Sequence, residues 1–440
     1  MMAVSESILF CTVGGSHQPI VTAIKTLRPK RVVFFCTGTD PATGKAGSRQ
    51  QVEGKGMIIK AAPQDDKPTL PNIPAQCGLP DGSWEVVEVP ADDLDAAYGV
   101  MRQALAQAGR DEGARLVADY TGGTKTMTAA LVLAALDAGN VQLQSVTGAR
   151  ADLIKVRDGT QAAVPTAVEG IRFRHDIHAP LAAWRRYAWD QAADGLTDMT
   201  PPQNATLRAF WQRARDVSEA FAAWDRFDHV AALERLSLYE GLVARTLPAH
   251  YLALKMLARG KDAAAEGLRI WDLWLNAQRR AADGRYDDAV ARVYRLIEWT
   301  AQWQLRTKRG WETGNLPREV AEAAGIAPNR DGSYQVGLYP AWQLAAAHCG
   351  NPLAGFFEDS RLALLDHLRR RNDSILAHGT VPVSKACWQS WAEWLTDKFE
   401  PLLKQLLAEV RINDPFPQLP NAYPWLEDLM PWTARTYTSA

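Results

Sequence analysis

The chain has 440 residues, of which 47% are hydrophobic and 22% charged, and its formal net charge is −1. This length allows two or three domains, each with its own core, and the composition is ordinary for a globular protein. Because the net charge is close to zero, the sequence excludes nucleic-acid binding through overall basicity, and an RNA or DNA partner would need a local basic patch.

Cysteine usage and hydropathy indicate the compartment. Five cysteines are scattered without a CxxC pair, and the sequence begins without a signal-peptide pattern. Both observations favour a reducing cytoplasm. No run of 18 apolar residues is present, so we expect no membrane span and no membrane partner.

Short apolar runs alternate with helical patterns in the first part of the chain. Strands are predicted at residues 8–13, 31–36, 84–89, 115–118 and 141–146, with a further one at 151–156. Fully apolar strands that alternate with helices predict a parallel sheet covered on both faces, which is a Rossmann-like α/β domain. Residues 38–82 are rich in Gly, Pro and polar side chains, and we interpret them as a long excursion and a candidate lid.

From residue 204 onward the apolar spacing becomes helical, with 16 tryptophans in the whole chain and most of them after residue 180. Helices are predicted over residues 207–224, whose apolar positions share one face, and at residues 262–282, 285–306, 339–349, 359–378 and 384–410. We therefore predict a Rossmann-like domain at 1–170, a linker at 171–203, and an all-α domain at 204–440 that ends in a Pro-rich strap.

The most informative segment is DYTGGTKTM, at residues 119–127. A strand that runs through a Gly-Gly turn into a helix presents unpaired N–H groups and a positive dipole end, which accept anions, and Lys125 adds a cation. The order of residues does not fit G-x-x-x-x-G-K-[ST], so a Walker A site and ATP hydrolysis are not supported. The simpler interpretation is a tight strand–helix turn with Thr124 as the N-cap.

This segment resembles the ligand-binding signature of CRISPR-associated Rossmann fold (CARF) domains, and the resemblance covers roughly residues 5–165. It implies that a cyclic oligoadenylate binds as an allosteric ligand, with no other cofactor. Besides the motif residue Asp119, the implied binding residues on one wall are Thr121, Gly122, Gly123, Thr124, Lys125 and Met127. On the other wall, the implied residues follow the first strand and are Gly14, Gly15, Ser16, His17 and Gln18.

A second motif, Arg371-Asn372-x5-His378, lies in the predicted helix at 359–378. A spacing of seven residues is two helical turns, so both side chains would share one face about 10 Å apart. Histidine can transfer a proton near neutral pH, and arginine can stabilise phosphorane charge, as metal-independent RNA cleavage by the 2′-hydroxyl requires. The simpler interpretation is a helix-end histidine before Gly379 and a solvated arginine face.

The same motif resembles the R-[N/H/D]-x4–6-H signature of HEPN ribonucleases. The resemblance implies that Arg371, Asn372 and His378 are catalytic, without a metal, in a composite site formed by a homodimer. Tyr294, Arg295 and Glu298 lie on a helix expected to flank the motif, where a core tyrosine and a surface ion pair are the simpler interpretation.

Together the two resemblances imply a cytoplasmic, cyclic-oligoadenylate-activated endoribonuclease of type III CRISPR antiviral defence that cleaves single-stranded RNA. Two alternatives stay open. In one, the chain is a non-catalytic sensor whose helical domain binds a protein, since residues 282–294 resemble one tetratricopeptide hairpin. In the other, it is a ring nuclease whose CARF pocket degrades the cyclic ligand.

Overall fold

The structure is a computed structural model that describes residues 6–40, 44, 46–54, 71–110, 113–148, 161–376 and 379–429. It divides into two compact units, Met1–Phe173 and Arg174–Ala440, and the division falls within the helix Glu169–Ala182. Among the helices described, none is both long and apolar enough to cross a membrane.

The described part of the N-terminal unit contains a six-stranded sheet with the order β3-β2-β1-β4-β5-β6. The first five strands are parallel, and β6 runs antiparallel to β5. The strands are β1 (Ser7–Thr12), β2 (Arg31–Cys36), β3 (Trp84–Glu88), β4 (Arg115–Asp119), β5 (Val141–Thr147) and β6 (Ala162–Pro165). The helices that precede the unit boundary are α1 (Gln18–Leu27), α2 (Gln50–Glu53), α3 (Ile73–Cys77), α4 (Leu94–Ala108) and α5 (Lys125–Ala138).

Both faces of the sheet are buried, as the continuous apolar strands predicted. Phe10 and Phe35 face one side, where Met101 of α4 packs in the same core cluster. Leu9 and Phe34 face the other side, in a cluster with α1 and α3. The Rossmann-like class is therefore confirmed.

Two predictions for this unit concern its less regular parts. Of the excursion at 38–82, the structure describes α2 and α3, and Val52 and Ile73 from these helices are fully buried in the sheet core. Residues 55–70 and the strand predicted at 151–156 lie outside the described residues.

The C-terminal unit is built from helices joined by irregular segments, and no β-strand lies in its described part. Its longer helices begin with α6 (Glu169–Ala182) and continue with α7 (Trp189–Thr197), α8 (Ala205–Asp225), α9 (His229–Ser237), α10 (Glu240–Thr246), α11 (Pro248–Arg259), α12 (Ala263–Ala282), α13 (Tyr286–Arg309), α14 (Arg318–Ala323), α15 (Leu338–Cys349), α16 (Leu353–Asn372), α17 (Lys385–Trp394) and α18 (Glu400–Glu409). Short 3-10 turns lie at Ala183–Arg186 and Leu426–Leu429, and a π-helical turn, Leu395–Phe399, joins α17 to α18.

Residues 171–203, predicted as a linker, include most of the helix Glu169–Ala182 and all of Trp189–Thr197. Trp184 and Trp189 are buried there, and both contact Phe221 of α8. The sequence pattern fades in this region because α7 has only nine residues and α6 contains Pro180, which leaves little periodicity to detect.

The helix that carries the arginine motif also differs from its prediction. It begins at Leu353 and ends at Asn372, whereas the spacing predicted residues 359–378. The described residues that follow, 373–376, are therefore not part of the helix. His378 lies outside the described residues, so its position relative to Arg371 stays a prediction.

The Pro-rich segment after α18 packs on the helical core up to Leu429. Phe416, Leu419 and Trp425 are buried, and the Trp271 indole donates to the Phe416 carbonyl at 2.8 Å. Its remaining residues, 430–440, lie outside the described part of the chain.

Candidate functional sites

The two predicted glycine turns meet at the carboxyl ends of adjacent parallel strands, β1 and β4. The Thr12 hydroxyl at the end of β1 donates to the Gly122 carbonyl at 2.5 Å. A Cβ on Gly14 would lie 2.6 Å from the Gly123 nitrogen, which leaves no room for a side chain between the turns. Because the strand order reverses between β1 and β4, this edge is where ligands bind in sheets of this kind.

Gly122 and Gly123 are both required by the close approach to β1. A Cβ on Gly122 would overlap the Thr12 carbonyl oxygen. Gly123 has φ of 91°, in the left-handed region that favours glycine, and a Cβ there would lie 2.8 Å from the Thr12 Cβ. The Gly-Gly pair thus reflects backbone packing as well as any contact with a ligand.

Asp119 and Thr121 fix the start of the β4 turn. The buried Asp119 carboxylate accepts from the Thr121 N–H and from the Gln144 amide, both at 3.0 Å. Burial raises the pKa of Asp119, although these hydrogen bonds act in the opposite direction. The Thr121 hydroxyl accepts from the Val146 N–H at 2.7 Å, which ties the turn to β5.

Thr124 caps helix α5, as the simpler interpretation of the motif predicted. Its hydroxyl accepts from the Met127 N–H at 3.2 Å and donates to the Ala91 carbonyl at 2.7 Å. Both hydrogen-bonding directions of this hydroxyl are thus engaged within the protein. A phosphate oxygen could accept from the Thr124 hydroxyl only by displacing the Ala91 carbonyl, because the hydroxyl has a single hydrogen to donate.

We expect Thr124→Ala to lower the free energy of unfolding by about 1 kcal/mol, because an N-cap is lost. Thr124→Ser keeps the hydroxyl and should behave like the wild type. Urea unfolding of the full chain measures both variants. Equal stability of Thr124→Ala and Thr124→Ser would contradict the capping role.

The remaining residues of the two turns differ in what they can offer a ligand. Lys125 is exposed at the start of α5 and has no ion pair with any described residue. Gly15, Ser16 and Gln18 are also exposed. His17 is 4% exposed, and burial lowers its pKa, so its imidazole is neutral at neutral pH and offers no positive charge to a phosphate.

Met127 lies beside the turn, with its Cβ 3.3 Å from where a Cβ on Gly123 would be. Its side chain is fully buried in the core cluster on the α4–α5 face of the sheet, with Phe10 and Ala130. The motif position therefore has a packing role here, because the first turn of α5 directs this side chain inward.

Gln51, on the short helix α2, was not predicted to lie at this edge. Its amide nitrogen donates to the Gly14 carbonyl, and its buried amide oxygen has no hydrogen-bond partner among the described residues. A helix of four residues within a polar region has no periodicity from which this contact could be inferred.

In the C-terminal unit, Arg371 lies in the last turn of α16. Its side chain is half-buried, and its Nη1 donates to the Asn372 Oδ1 at 3.2 Å. The guanidinium carbon lies 4.2 Å from the centroid of the Tyr294 ring on α13. Among the residues that the structure describes, no carboxylate forms an ion pair with Arg371, so its charge is available to an anion.

The chain after α16 folds back in a hydrogen-bonded loop. The Ser374 N–H donates to the Arg371 carbonyl at 3.0 Å, which closes the helix end. The Ile375 N–H then donates to the Val381 carbonyl, and the Gly379 N–H to the Ser374 carbonyl, both at 3.1 Å. His378 belongs to this loop in sequence but lies outside the described residues, so its place beside Arg371 stays a prediction.

The neighbouring arginine Arg370 is engaged differently. It forms an exposed ion pair with Asp366 at 2.9 Å, one turn earlier on the same helix. Within the described ranges, no group of three or more His, Cys, Asp or Glu side chains is placed to hold a metal ion.

The chain thus has an α/β unit with paired glycine turns, followed by a helical unit with Arg371 at a helix end, which is the order that the CARF and HEPN resemblances imply. Residues 259–400 match the family model described as the Csm6 HEPN domain, and they include Arg371. The helical region therefore contains a HEPN domain of the Csm6 type. No curated protein matches the sequence significantly.

Solved structures agree with this fold. Csm6 from Enterococcus italicus, bound to cyclic hexa-2′-fluoro-hexa-dAMP, matches with a TM-score of 0.58 at 12% identity, over 93% of this chain and 96% of that one. Can2 from Sulfobacillus thermosulfidooxidans, in complex with cyclic tetra-adenylate, matches with a TM-score of 0.24 at 13% identity, over 54% of this chain and 67% of that one. The first match shows that the chain has the fold of Csm6, and the second is too low to add to the argument.

Proposed function

We propose that the protein is a cyclic-oligoadenylate-activated, metal-independent endoribonuclease of type III CRISPR antiviral defence, which acts in the cytoplasm as a homodimer. The observation that carries this proposal is Arg371, which lies within the Csm6-type HEPN match and has no carboxylate partner among the described residues. An arginine at a helix end whose charge is not neutralised by a carboxylate is suited to bind a phosphate.

The cleavage chemistry follows from the motif. The 2′-hydroxyl of the RNA attacks the adjacent phosphate, which leaves a 2′,3′-cyclic phosphate and a 5′-hydroxyl. Arg371 stabilises the charge that develops on the phosphorane, and His378 transfers a proton to or from the reacting oxygens. Asn372, which accepts from Arg371, orients the guanidinium.

The sensor would bind its ligand at the paired turns of β1 and β4. The match to Csm6 with a bound cyclic hexanucleotide analogue supports this ligand class. Exposed Lys125 supplies a positive charge for phosphate, together with the N-terminal N–H groups of α5. A cyclic oligoadenylate has rotational symmetry, which suits a pocket shared by two subunits.

Apolar side chains around the motif support a dimer. Ile375, Leu376 and Val381 are 54%, 52% and 65% exposed on the loop that follows Arg371. A second subunit facing this loop would cover them and bring a second motif opposite the first. Activation requires that the ligand bind one dimer geometry more tightly than another, because only differential affinity shifts an equilibrium.

The test is cleavage of a fluorescent single-stranded RNA by the full chain with cyclic oligoadenylates of several ring sizes. We expect cleavage with at least one ring size, little cleavage with the linear oligoadenylate, and no loss of activity in EDTA. A folded, dimeric protein that no ring size activates would contradict the proposal. Incubation with cyclic oligoadenylate alone, without RNA, tests for the ring-nuclease alternative through linear products.

A further inference from the structure

Tyr294 is the aromatic residue in contact with the motif arginine. The Arg371 guanidinium carbon lies 4.2 Å from the centroid of its ring, which is within the range of a cation–π interaction. The ring lies on α13 and is half-buried, and its hydroxyl forms no hydrogen bond with any described residue. The ring face is therefore the part of Tyr294 that touches the candidate site.

We propose that Tyr294 is a positioning residue for RNA cleavage, which holds the Arg371 guanidinium in the orientation that stabilises the phosphorane. This inference rests on the proposed ribonuclease function. A free arginine side chain has many rotamers, and fixing it for phosphate binding costs conformational entropy. Contact with the Tyr294 ring, which α13 holds in place, lowers this entropy cost before RNA binds. The ring covers only the face of the guanidinium, so N–H groups at its edges can still donate to a phosphate.

Helix α13 is rigid enough to serve this purpose. The flanking residues Val293 and Leu296 are fully buried, so the backbone at Tyr294 is held by the core. Two turns earlier on the same helix, the Asp287 carboxylate accepts from the Val383 N–H at 3.0 Å. One helix thus contacts both Arg371 and the end of the loop that follows it.

The test compares Tyr294→Leu and Tyr294→Phe in the full chain, at saturating activator, with kcat and KM measured separately. Tyr294→Leu should lower kcat about tenfold with little change in KM, because the lost contact acts on the charge of the transition state. Tyr294→Phe keeps the ring and should retain most of the activity, since the hydroxyl has no partner among the described residues.

Tyr339→Leu is the matched control. Tyr339 is also half-buried in the helical unit, and its ring contacts Phe357 at 5.6 Å between centroids, with no arginine stacked on it in the described chain. It should lose stability to a similar extent in thermal unfolding but keep its kcat.

Each outcome distinguishes the inference from the function on which it rests. Absence of cleavage by the wild type would contradict the proposed function itself. With an active wild type, three results would overturn the positioning role: unchanged kcat in Tyr294→Leu, equal losses in Tyr294→Leu and Tyr294→Phe, or a raised KM at unchanged kcat, which would assign the ring to RNA binding.

Discussion

Arg371→Ala is expected to lower the kcat of activated RNA cleavage by about 10²–10³-fold, the usual effect of removing one group that stabilises transition-state charge. His378→Ala should lower it by about 10²–10⁴-fold, as for loss of a general acid or base. Neither change should weaken binding of the cyclic oligoadenylate, since both residues belong to the helical unit and the glycine turns to the other. Single-turnover cleavage and calorimetric titration with the activator measure the two effects.

Arg370→Ala is the control for the motif substitutions. It removes an arginine of the same helix end, but one that is exposed and paired with Asp366. Exposed pairs of this kind contribute little to stability, so the variant should fold normally and cleave RNA at close to the wild-type rate. Similar losses in Arg370→Ala and Arg371→Ala would indicate general RNA attraction by the basic helix end and would count against a catalytic arginine.

Gly14→Val should abolish activation by cyclic oligoadenylate. A Cβ at this position would lie 2.6 Å from the Gly123 nitrogen, and a branched side chain needs still more room. The turns of β1 and β4 would have to separate, which costs about 1–3 kcal/mol of folding free energy and removes the close approach at the proposed ligand edge. Titration with the activator should show at least a tenfold weaker Kd, with an RNA cleavage rate no higher than without activator.

Gly99→Ala is the matched control in the same unit. Gly99 lies on the exposed side of α4, and a Cβ there would meet nothing within 4 Å. Alanine in a helix interior is favoured over glycine by about 0.5–1 kcal/mol, so this variant should be slightly more stable and fully activated. If Gly14→Val bound the activator as tightly as Gly99→Ala, the glycine turns could not be the binding edge.

The sequence was sufficient to predict those features that depend on local patterns. Continuous apolar runs located the five parallel strands, and the two glycine pairs located the edge where β1 and β4 end. The same reasoning found Arg371, because a short polar motif near the end of a predicted helix is visible in the residue order itself. The CARF resemblance then predicted a ligand-binding role for the glycine turns, and the HEPN resemblance predicted a catalytic role for Arg371.

The features that the sequence did not predict depend on contacts between distant residues. Helix α16 ends at Asn372 because the chain folds back after it, with hydrogen bonds from the Ile375 N–H to the Val381 carbonyl and from the Gly379 N–H to the Ser374 carbonyl. The spacing of apolar residues does not indicate these hydrogen bonds. Burial of Met127 follows from the direction in which α5 leaves the turn. The contact between Gln51 and Gly14 joins residues 37 positions apart in sequence.

The contact between Tyr294 and Arg371 is of the same long-range kind. In sequence, Tyr294 is one half-buried aromatic position on a long amphipathic helix, which most often means a core residue. Only the packing of α16 beside α13 brings the ring under the guanidinium. A motif thus identifies a reactive side chain, while the residue that restrains it becomes visible only in three dimensions.

The close packing of the Gly14 and Gly122 turns also limits how this protein can change over time. The Thr12 hydroxyl is bonded across the gap, and there is no space for a Cβ on Gly14, Gly122 or Gly123, so these three positions cannot accept a larger residue unless the opposite turn moves. Sequence change at the proposed ligand edge is therefore restricted to exposed positions such as Ser16, Gln18 and Lys125. If the proposed function holds, adaptation to a ring of different size would have to proceed through those side chains while the backbone of the turns stays the same.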